Sequence, residues 1–367
     1  MRTVINCVRA RVKKIKKVKY SKKGEIDMKK LLTFVMALML SVACVFGLVA
    51  CNEETSSVTL VGLADGTAVT PAAQYDYFVV PEPAATTKVN ATQGKLSFAG
   101  DLQALYGDGE GYPQAVVVAK KSVIESDGAT VKAFVNSFAD NKSWLIDDNT
   151  SSQTIVDAVK SGFISNDMTP TFTANNLNKQ VIINSGLRYR HAVESKAWVL
   201  DYLAKVNAVS NNSFGTPVDN FFASVANNTA NSGQTLSVYC PDGAPALSVA
   251  RLLNDSSIIA NIEINVVKAS TIQTYVTGAT PTADICILPV NAASKLLGNA
   301  STYQMLGTVT DGNLYILKKE GAENINKDNI AKVLNGKTVG IINLANVPGL
   351  TFKAILADFN IEFTQPA

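Results

Sequence analysis

Short apolar runs, each closed by turn residues, recur along the chain at the spacing of strands that alternate with helices. Val58–Leu63 is the first, and Ala64-Asp65-Gly66-Thr67-Ala68 is expected to turn it into a helix. Tyr75–Val80 is the second, ended by Pro81-Glu82-Pro83, with Ala84–Lys88 opening a helix. Proline suits a helix start because its missing N–H had no partner there anyway. Leu96–Leu105 and Gln114–Ala119 predict two further strands, and the glycine-rich stretch Tyr106–Pro113 between them permits hinge angles. From Ser126 the period becomes helical, with Val131, Phe134, Val135 and Phe138 on one face, then Ile155, Val156 and Val159. His191–Val206 reads as a long amphipathic helix with Val193, Ala197, Leu200 and Leu203 on its apolar side.

Ser224–Thr235 breaks this rhythm. It consists almost wholly of Asn, Ser, Thr, Ala and Gly, with little to bury. Such a stretch cannot offset its ordering entropy and is expected to be a flexible tether. Leu236–Cys240 then starts a strand, breaks at Pro241-Asp242-Gly243 and gives way to a helix carrying Leu247, Ala250, Leu252 and Leu253. Ile262–Val267 and Ala283–Leu288 are the next strands, the latter ending in Pro289-Val290-Asn291 before a helix through Leu297. Tyr303–Val309 and Leu314–Leu317 flank Thr310-Asp311-Gly312, an expected crossover. Val339–Asn343 is the last strand, and Leu344–Gly349 delivers the chain to a helix over Leu350–Asp358. Parallel βαβ units, and so an α/β fold, follow from this alternation.

The 367 residues, 47% hydrophobic and 17% charged, suffice for one or two domains with a sizeable core. The net charge of +3 belongs to the leader: residues 1–50 hold 12 of the 33 Lys and Arg but 2 of the 30 Asp and Glu. The remaining 21 basic and 28 acidic residues make an acidic body, which argues against a nucleic-acid partner.

Met28-Lys29-Lys30, the apolar run Leu31–Ala50 and the small residues before Cys51 describe a secretory signal. Leu48-Val49-Ala50-Cys51 resembles the bacterial lipobox, which implies cleavage before Cys51 and lipidation of its thiol. A membrane anchor is the alternative, since the run approaches the ~20 residues that span a bilayer. The polar tail Asn52–Ser57 favours the lipobox, and Ser41-Val42-Ala43-Cys44 is a second candidate. Lys23-Gly24-Glu25 can be encoded by a ribosome-binding sequence, so translation is expected to start at Met28.

Several chemistries find no support. Tyr106–Pro113 carries two carboxylates and no Lys, unlike a phosphate loop, and lacks calcium-loop spacing. Gly336-Lys337-Thr338 resembles the end of a Walker A loop, but Ala331 stands where the earlier glycine is required. His191, the only histidine, reads as a surface or capping residue, and no metal is expected.

Strand-end loops carry the remaining signal. Pro241-Asp242-Gly243-Ala244, Leu288-Pro289-Val290-Asn291, Asn346-Val347-Pro348-Gly349-Leu350-Thr351 and Val80-Pro81-Glu82-Pro83-Ala84 resemble the ligand loops of ABC-transporter solute-binding proteins. The branch is that of nitrate, sulfonate, taurine and thiamine-precursor binders. The resemblance implies a two-lobed type II periplasmic-binding-protein-like fold, each lobe a mixed sheet flanked by helices, with a ligand cleft between lobes. It also implies a membrane permease as partner, a monomer, no cofactor, and location on the outer face of the cell membrane through Cys51.

The order of the halves departs from that family. Its members run from the equivalent of Leu236 to about Phe363, then from about Val58 to Phe222; here the second block comes first. A circular permutation is the simplest reading, and a rearranged gene is the alternative. The chain then divides into 1–27, untranslated or an extended basic region; 28–50, signal peptide; 51–57, tether; and 58–125, part of the second lobe with a crossover near 106–113. Helices packing on the lobes (126–222), a polar linker (223–235), the first lobe (236–312), and the second crossover with the start of the second lobe (313–367) follow.

The candidate ligand residues are Asp242, Gly243, Ala244, Pro289, Val290, Asn291, Asn346, Val347, Pro348, Gly349, Thr351, Pro81, Glu82 and Tyr112. For Asp242 and Asn291, helix capping competes with ligand contact. These loops hold no Arg or Lys, and Asp242 and Glu82 would oppose an anion, so a neutral or cationic ligand is expected. Tyr239, Tyr77 and Tyr112 are candidates to stack on a ring, against a core role. Thiamine-degrading enzymes resemble the same architecture and use a cleft cysteine, which would make Cys240 a nucleophile and Glu82 its base. A Cys240–Cys286 disulfide is open if their strands are neighbours.

Replacing Cys51→Ser is expected to abolish incorporation of labelled palmitate. Unchanged labelling would move the modified residue to Cys44.

Overall fold

The computed structural model describes residues 56–210, 214–299 and 302–366. The expected start at Met28, the signal segment and Cys51 lie outside them. Among the described residues no helix is long and apolar enough to cross a membrane.

Twelve strands among these residues form two six-stranded mixed sheets. One, here lobe II, contains β1 (Ser57–Leu63), β2 (Tyr77–Pro81), β3 (Leu96–Asp101), β10 (Leu314–Lys319), β11 (Lys337–Ile342) and β12 (Glu362–Thr364) in the order β12-β1-β11-β2-β10-β3. The other, lobe I, contains β4 (Ala115–Lys120), β5 (Leu187–His191), β6 (Leu236–Pro241), β7 (Ile262–Val267), β8 (Ile285–Pro289) and β9 (Tyr303–Thr310) in the order β5-β9-β4-β8-β6-β7. The two-lobed α/β expectation therefore holds. Central strands such as β2, β4 and β8 are apolar on both faces because helices cover both sides.

Direction along the strands sets the cleft. In lobe I, β6 runs parallel to β7 and β8, while β4 runs against β8 and β9. In lobe II, β1, β11 and β2 are parallel and β10 runs against β2 and β3. The chain leaves β3 to enter β4 and leaves β9 to enter β10, so the carboxyl ends of the parallel strands face the crossovers from both lobes. That edge is where open α/β sheets take ligands.

The two crossovers lie against each other. Tyr112 N donates to Asp311 O at 3.3 Å and Gln114 N to Thr310 O at 3.1 Å. Gly111 (φ 84°) and Gly312 (φ 95°) both occupy the left-handed region. A Cβ on Gly111 would overlap the Asp311 carbonyl oxygen, and one on Gly312 would sit 2.5 Å from the Tyr112 ring. One core joins Val58 and Val339 of lobe II to Leu288 and Met305 of lobe I through Tyr202, Leu203 and Val206 of the helix Ala192–Ser210. Tyr202 Oη lies 2.7 Å from Thr351 Oγ1 in this shared core.

Several local expectations change. Leu96–Leu105 is not one strand: β3 ends at Asp101, whose carboxylate accepts from Gln103 N at 2.8 Å and caps a helical turn over Leu102–Leu105. Ala64–Ala68 makes only a short 3-10 turn at Gly66–Ala68. The helix after β6 is interrupted at Ser248 and Val249, giving Ala244–Leu247 and Ala250–Asn254. His191 is the last residue of β5, an edge strand absent from the sequence reading.

Ser224–Thr235 has the expected lack of helix or strand, but it is anchored rather than free. Ala129 N donates to Ala230 O at 3.0 Å, Lys132 Nζ reaches Ala226 O, and Asn228 Nδ2 meets Ile124 O. Asp127, fully buried, accepts from Ser232 N and Oγ at 2.7 Å and from Gln234 Nε2 at 3.1 Å. Burial pushes the Asp127 carboxyl up, but hydrogen bonds from Ser126, Ser232 and Gln234 outweigh it and hold its pKa below the ordinary value. Side-chain acceptors distant in sequence thus supply the ordering that composition lacks.

A carboxyl with a lowered folded pKa stabilises fully above its unfolded value of about 3.9, and the contribution is lost as pH falls through the lowered value. Cleavage within Ser224–Thr235 by an acid-active protease should therefore rise only in strong acid. Asp127→Asn should raise it above that acid range, where the wild-type carboxylate is charged, while far-ultraviolet circular dichroism stays unchanged. Equal cleavage of both proteins would refute the anchoring role.

Candidate ligand cleft between the two sheets

Each facing loop has a local reason for its shape. After β6, Gly243 takes φ 112° and lets the chain turn into Ala244-Pro245. Asp242 N donates to Val267 O at 2.9 Å, and Asp242 Oδ2 accepts from Thr171 N at 2.7 Å. Its other oxygen, Oδ1, is buried without a partner. After β8, the helix Val290–Leu297 begins at once, with Val290 N donating to Gln114 O at 3.0 Å. Asn291 Oδ1 and Gln114 Oε1 are buried and have no partner among the described residues, although Gln114 Nε2 donates to Asn313 Oδ1 at 2.8 Å. Buried acceptors without donors are costly, which marks these groups as more than scaffolding.

On the lobe II side, β11 leads through Leu344 and Ala345 to Asn346, which precedes the helix Val347–Asp358. Asn346 makes no side-chain cap and is exposed, while Pro348 fits the first helical turn. Gly349 lies so close to the Leu344 carbonyl oxygen that a Cβ would overlap it. A cavity of about 400 Å³ joins the two helix starts: Asn291, Ala292 and Lys295 line it from lobe I, and Ala345, Asn346 and Leu350 from lobe II. Gln273 and Phe214 complete the wall. The structure thus brings Asn291 and Asn346 into one cavity.

The other candidates stand elsewhere. Glu82 is 4% exposed and its carboxylate is already engaged: Thr86 N and Oγ1 donate at 3.0 and 2.7 Å, and Asn184 Nδ2 donates at 2.8 Å. It therefore caps the helix Ala84–Ala91 and straps lobe II to Asn184. Pro81 pairs with Leu314 inside the sheet. Tyr112 is wholly buried, stacked on Tyr202 at 5.9 Å and edge-on to Tyr106 at 6.0 Å, with its hydroxyl unpartnered. Burial drives its pKa well up. Thr351 and Val347 are buried, as are Ala244 and Val290. Pro289 continues β8 opposite Ala115. Tyr77 is a core residue whose hydroxyl donates to Glu323 O at 3.2 Å. Tyr239 already stacks on Tyr275 at 4.2 Å.

The cysteine chemistry fails on burial and register. Cys240 and Cys286 are both fully buried, and desolvation pushes both thiols far above their ordinary value. A nucleophilic cysteine needs the reverse. Their strands are neighbours, but Tyr239 rather than Cys240 lies opposite Cys286. Successive strand residues point to opposite faces, so the two thiols enter different cores and stay unpaired. Among the described residues, no group of three or more His, Cys, Asp or Glu is placed to hold a metal ion.

Gln114, Gln273, Phe214 and Lys295 escaped the sequence reading. Gln114 had a signal, as the polar residue just before a buried strand. Gln273 and Phe214 had none, because they reach the cavity from a short 3-10 turn, Ile272–Tyr275, and from an irregular segment.

No protein-family model matches this chain, and neither does any curated protein. Among solved structures, a likeness is found to the crystal structure of NikA from Staphylococcus aureus in complex with Ni(L-His)2. The TM-score is 0.30 at 10% identity, covering 70% of this chain and 55% of that one. The chain thus spans about half the length of that protein.

In the native protein, iodoacetamide should leave Cys240 and Cys286 unmodified, and both should react after denaturation. Rapid alkylation of Cys240 under native conditions would restore the nucleophile reading.

Proposed function

We propose that this chain is the extracytoplasmic substrate-binding component of an ABC importer. It captures a small organic solute between its lobes, and hinge closure presents the loaded form to a membrane permease. The observation that carries this reading is the cavity lined by the start of the Asn291 helix from one sheet and by Asn346 from the other. A ligand touching both lobes favours the closed arrangement over the open one. The crossed glycine-packed connections supply the hinge.

The solute is a hydrogen-bond donor, neutral or cationic. Of the strand-end acceptors without a partner among the described residues, Asn291 Oδ1, Gln114 Oε1 and Asp242 Oδ1, the first belongs to a residue lining the cavity. A sulfonate or nitrate would bring further acceptors to them. Lys295, exposed on the same helix, also lines the cavity. The proposal includes an acylated Cys51, a monomer on the outer face of the membrane, and the branch of binding proteins that its strand-end loops resemble. It also takes the order of the halves as a circular permutation. In support, β12 pairs in parallel with β1, with Ser57 opposite Glu362, so the described chain begins beside where it finishes.

Thermal unfolding in the presence of amines, nucleobases, thiamine precursors and sulfonates tests the reading. At about 100 times its dissociation constant a ligand adds ~2.7 kcal/mol. An amine or heterocycle should raise the midpoint, and Asn291→Ala and Asn346→Ala should each reduce the affinity about tenfold. Stabilisation by sulfonates alone would overturn the ligand class. Binding indifferent to both substitutions would overturn the site.

A further inference from the structure

A second pocket, of about 320 Å³, sits on the crossovers and shares no lining residue with the cavity between Asn291 and Asn346. Asp101 and Tyr315 line it from lobe II, Arg188 and Lys142 from lobe I, and Glu110 and Asp311 from the two crossovers. Its size falls at the lower end of small-molecule sites.

Charge is divided within it. Asp311 is 6% exposed, and its Oδ2 is held by Arg190 Nε at 2.9 Å and Arg190 Nη2 at 2.8 Å. Its Oδ1 is buried and has no partner among the described residues. Asp101 accepts from Gln103 N at 2.8 Å and Gln103 Nε2 at 2.6 Å and has no ion pair among the described residues. Burial pushes both carboxyls above their ordinary value, for Asp311 despite Arg190 and Arg188. Arg188 is engaged by Glu110 at 2.8 Å. Lys142, exposed on the helix Gly128–Ile146, has neither an ion pair nor a hydrogen bond among the described residues. The lining of this pocket thus holds an unmet acceptor, a second carboxylate from lobe II and a cation from lobe I without a partner among the described residues.

We propose that this hinge pocket binds a small zwitterion of amino-acid size, its ammonium at Asp311 and Asp101 and its carboxylate at Lys142. An ammonium brings three donors, enough to reach the orphaned Asp311 Oδ1 and Asp101 together. A lone cation would face Lys142 and Arg188, and a lone anion would face the carboxylates. Because the walls belong to both lobes, occupancy stabilises the arrangement in which they meet. The inference does not rest on the ligand assigned to the other cavity.

Isothermal titration of the protein with L-alanine, propionate and ethylamine tests it. L-alanine should bind saturably, and propionate and ethylamine should each bind at least tenfold more weakly. Lys142→Ala, a surface change, should weaken L-alanine at least tenfold without lowering the melting temperature. Asp101→Asn, which preserves the cap on Leu102–Leu105, should do the same. Asn346→Ala should leave L-alanine binding unchanged. No saturable L-alanine binding would overturn the proposal, as would insensitivity to Lys142→Ala or loss through Asn346→Ala alone. The last result would place the amino acid in the other cavity.

Discussion

The contact between Gly312 and the ring of Tyr112 fixes how the two crossovers lie against each other. The two crossovers touch there, and neither has room for another atom: a Cβ on Gly312 would sit 2.5 Å from that ring. Tyr112 is in turn held by Tyr106 and Tyr202, and Tyr202 reaches Thr351 in the helix that follows Asn346. A chain of close packing therefore runs from the hinge to the lobe II side of the cleft. Dense interiors transmit displacement rather than absorb it. In the proposed closure, rotation at the crossovers would carry the Asn346 helix with it.

That constraint separates residues that build the hinge from residues left for binding. Glu82 sits at a strand end, Tyr112 in a crossover and Thr351 in the helix Val347–Asp358, all expected to contact ligand, yet packing or hydrogen bonds consume each of them. Asn291, Gln114 and Asp242 sit at comparable strand ends with an acceptor left over. For Glu82 and Thr351 the distinction lies in partners rather than in position, and for Tyr112 it lies in ring packing. Glu82 had Thr86 four residues on and Asn184 from the far lobe to occupy its oxygens.

The same distinction explains what the sequence could show. Buried strands such as β4 and β8 were legible because helices on both faces leave an unbroken apolar run. The glycine-rich crossover was legible from composition. The edge strand β5 was not, since Leu187-Arg188-Tyr189-Arg190-His191 alternates with charge and pairs on one side only. The polar linker was legible as irregular but not as docked, because its anchor, Asp127, lies about a hundred residues earlier. In the cleft, Asn291 and Asn346 could be named from their strands. Gln273 and Phe214 could not, because only the tertiary fold brings them there.

The proposed exchange of halves also has a physical footing in the sheet. Glu362 N donates to Ser56 O at 2.8 Å, so the chain leaving the helix Val347–Asp358 arrives beside the start of β1. Joining the end of β12 to β1 would leave the order of all six strands of lobe II untouched. The linker Ser224–Thr235 links Phe222 to Leu236 within lobe I and is docked along Gly128–Ile146 rather than across the cleft. Neither connection passes between the strand ends where Asn291 and Asn346 meet. The cleft geometry is therefore independent of where the chain is cut, provided the two crossovers remain intact.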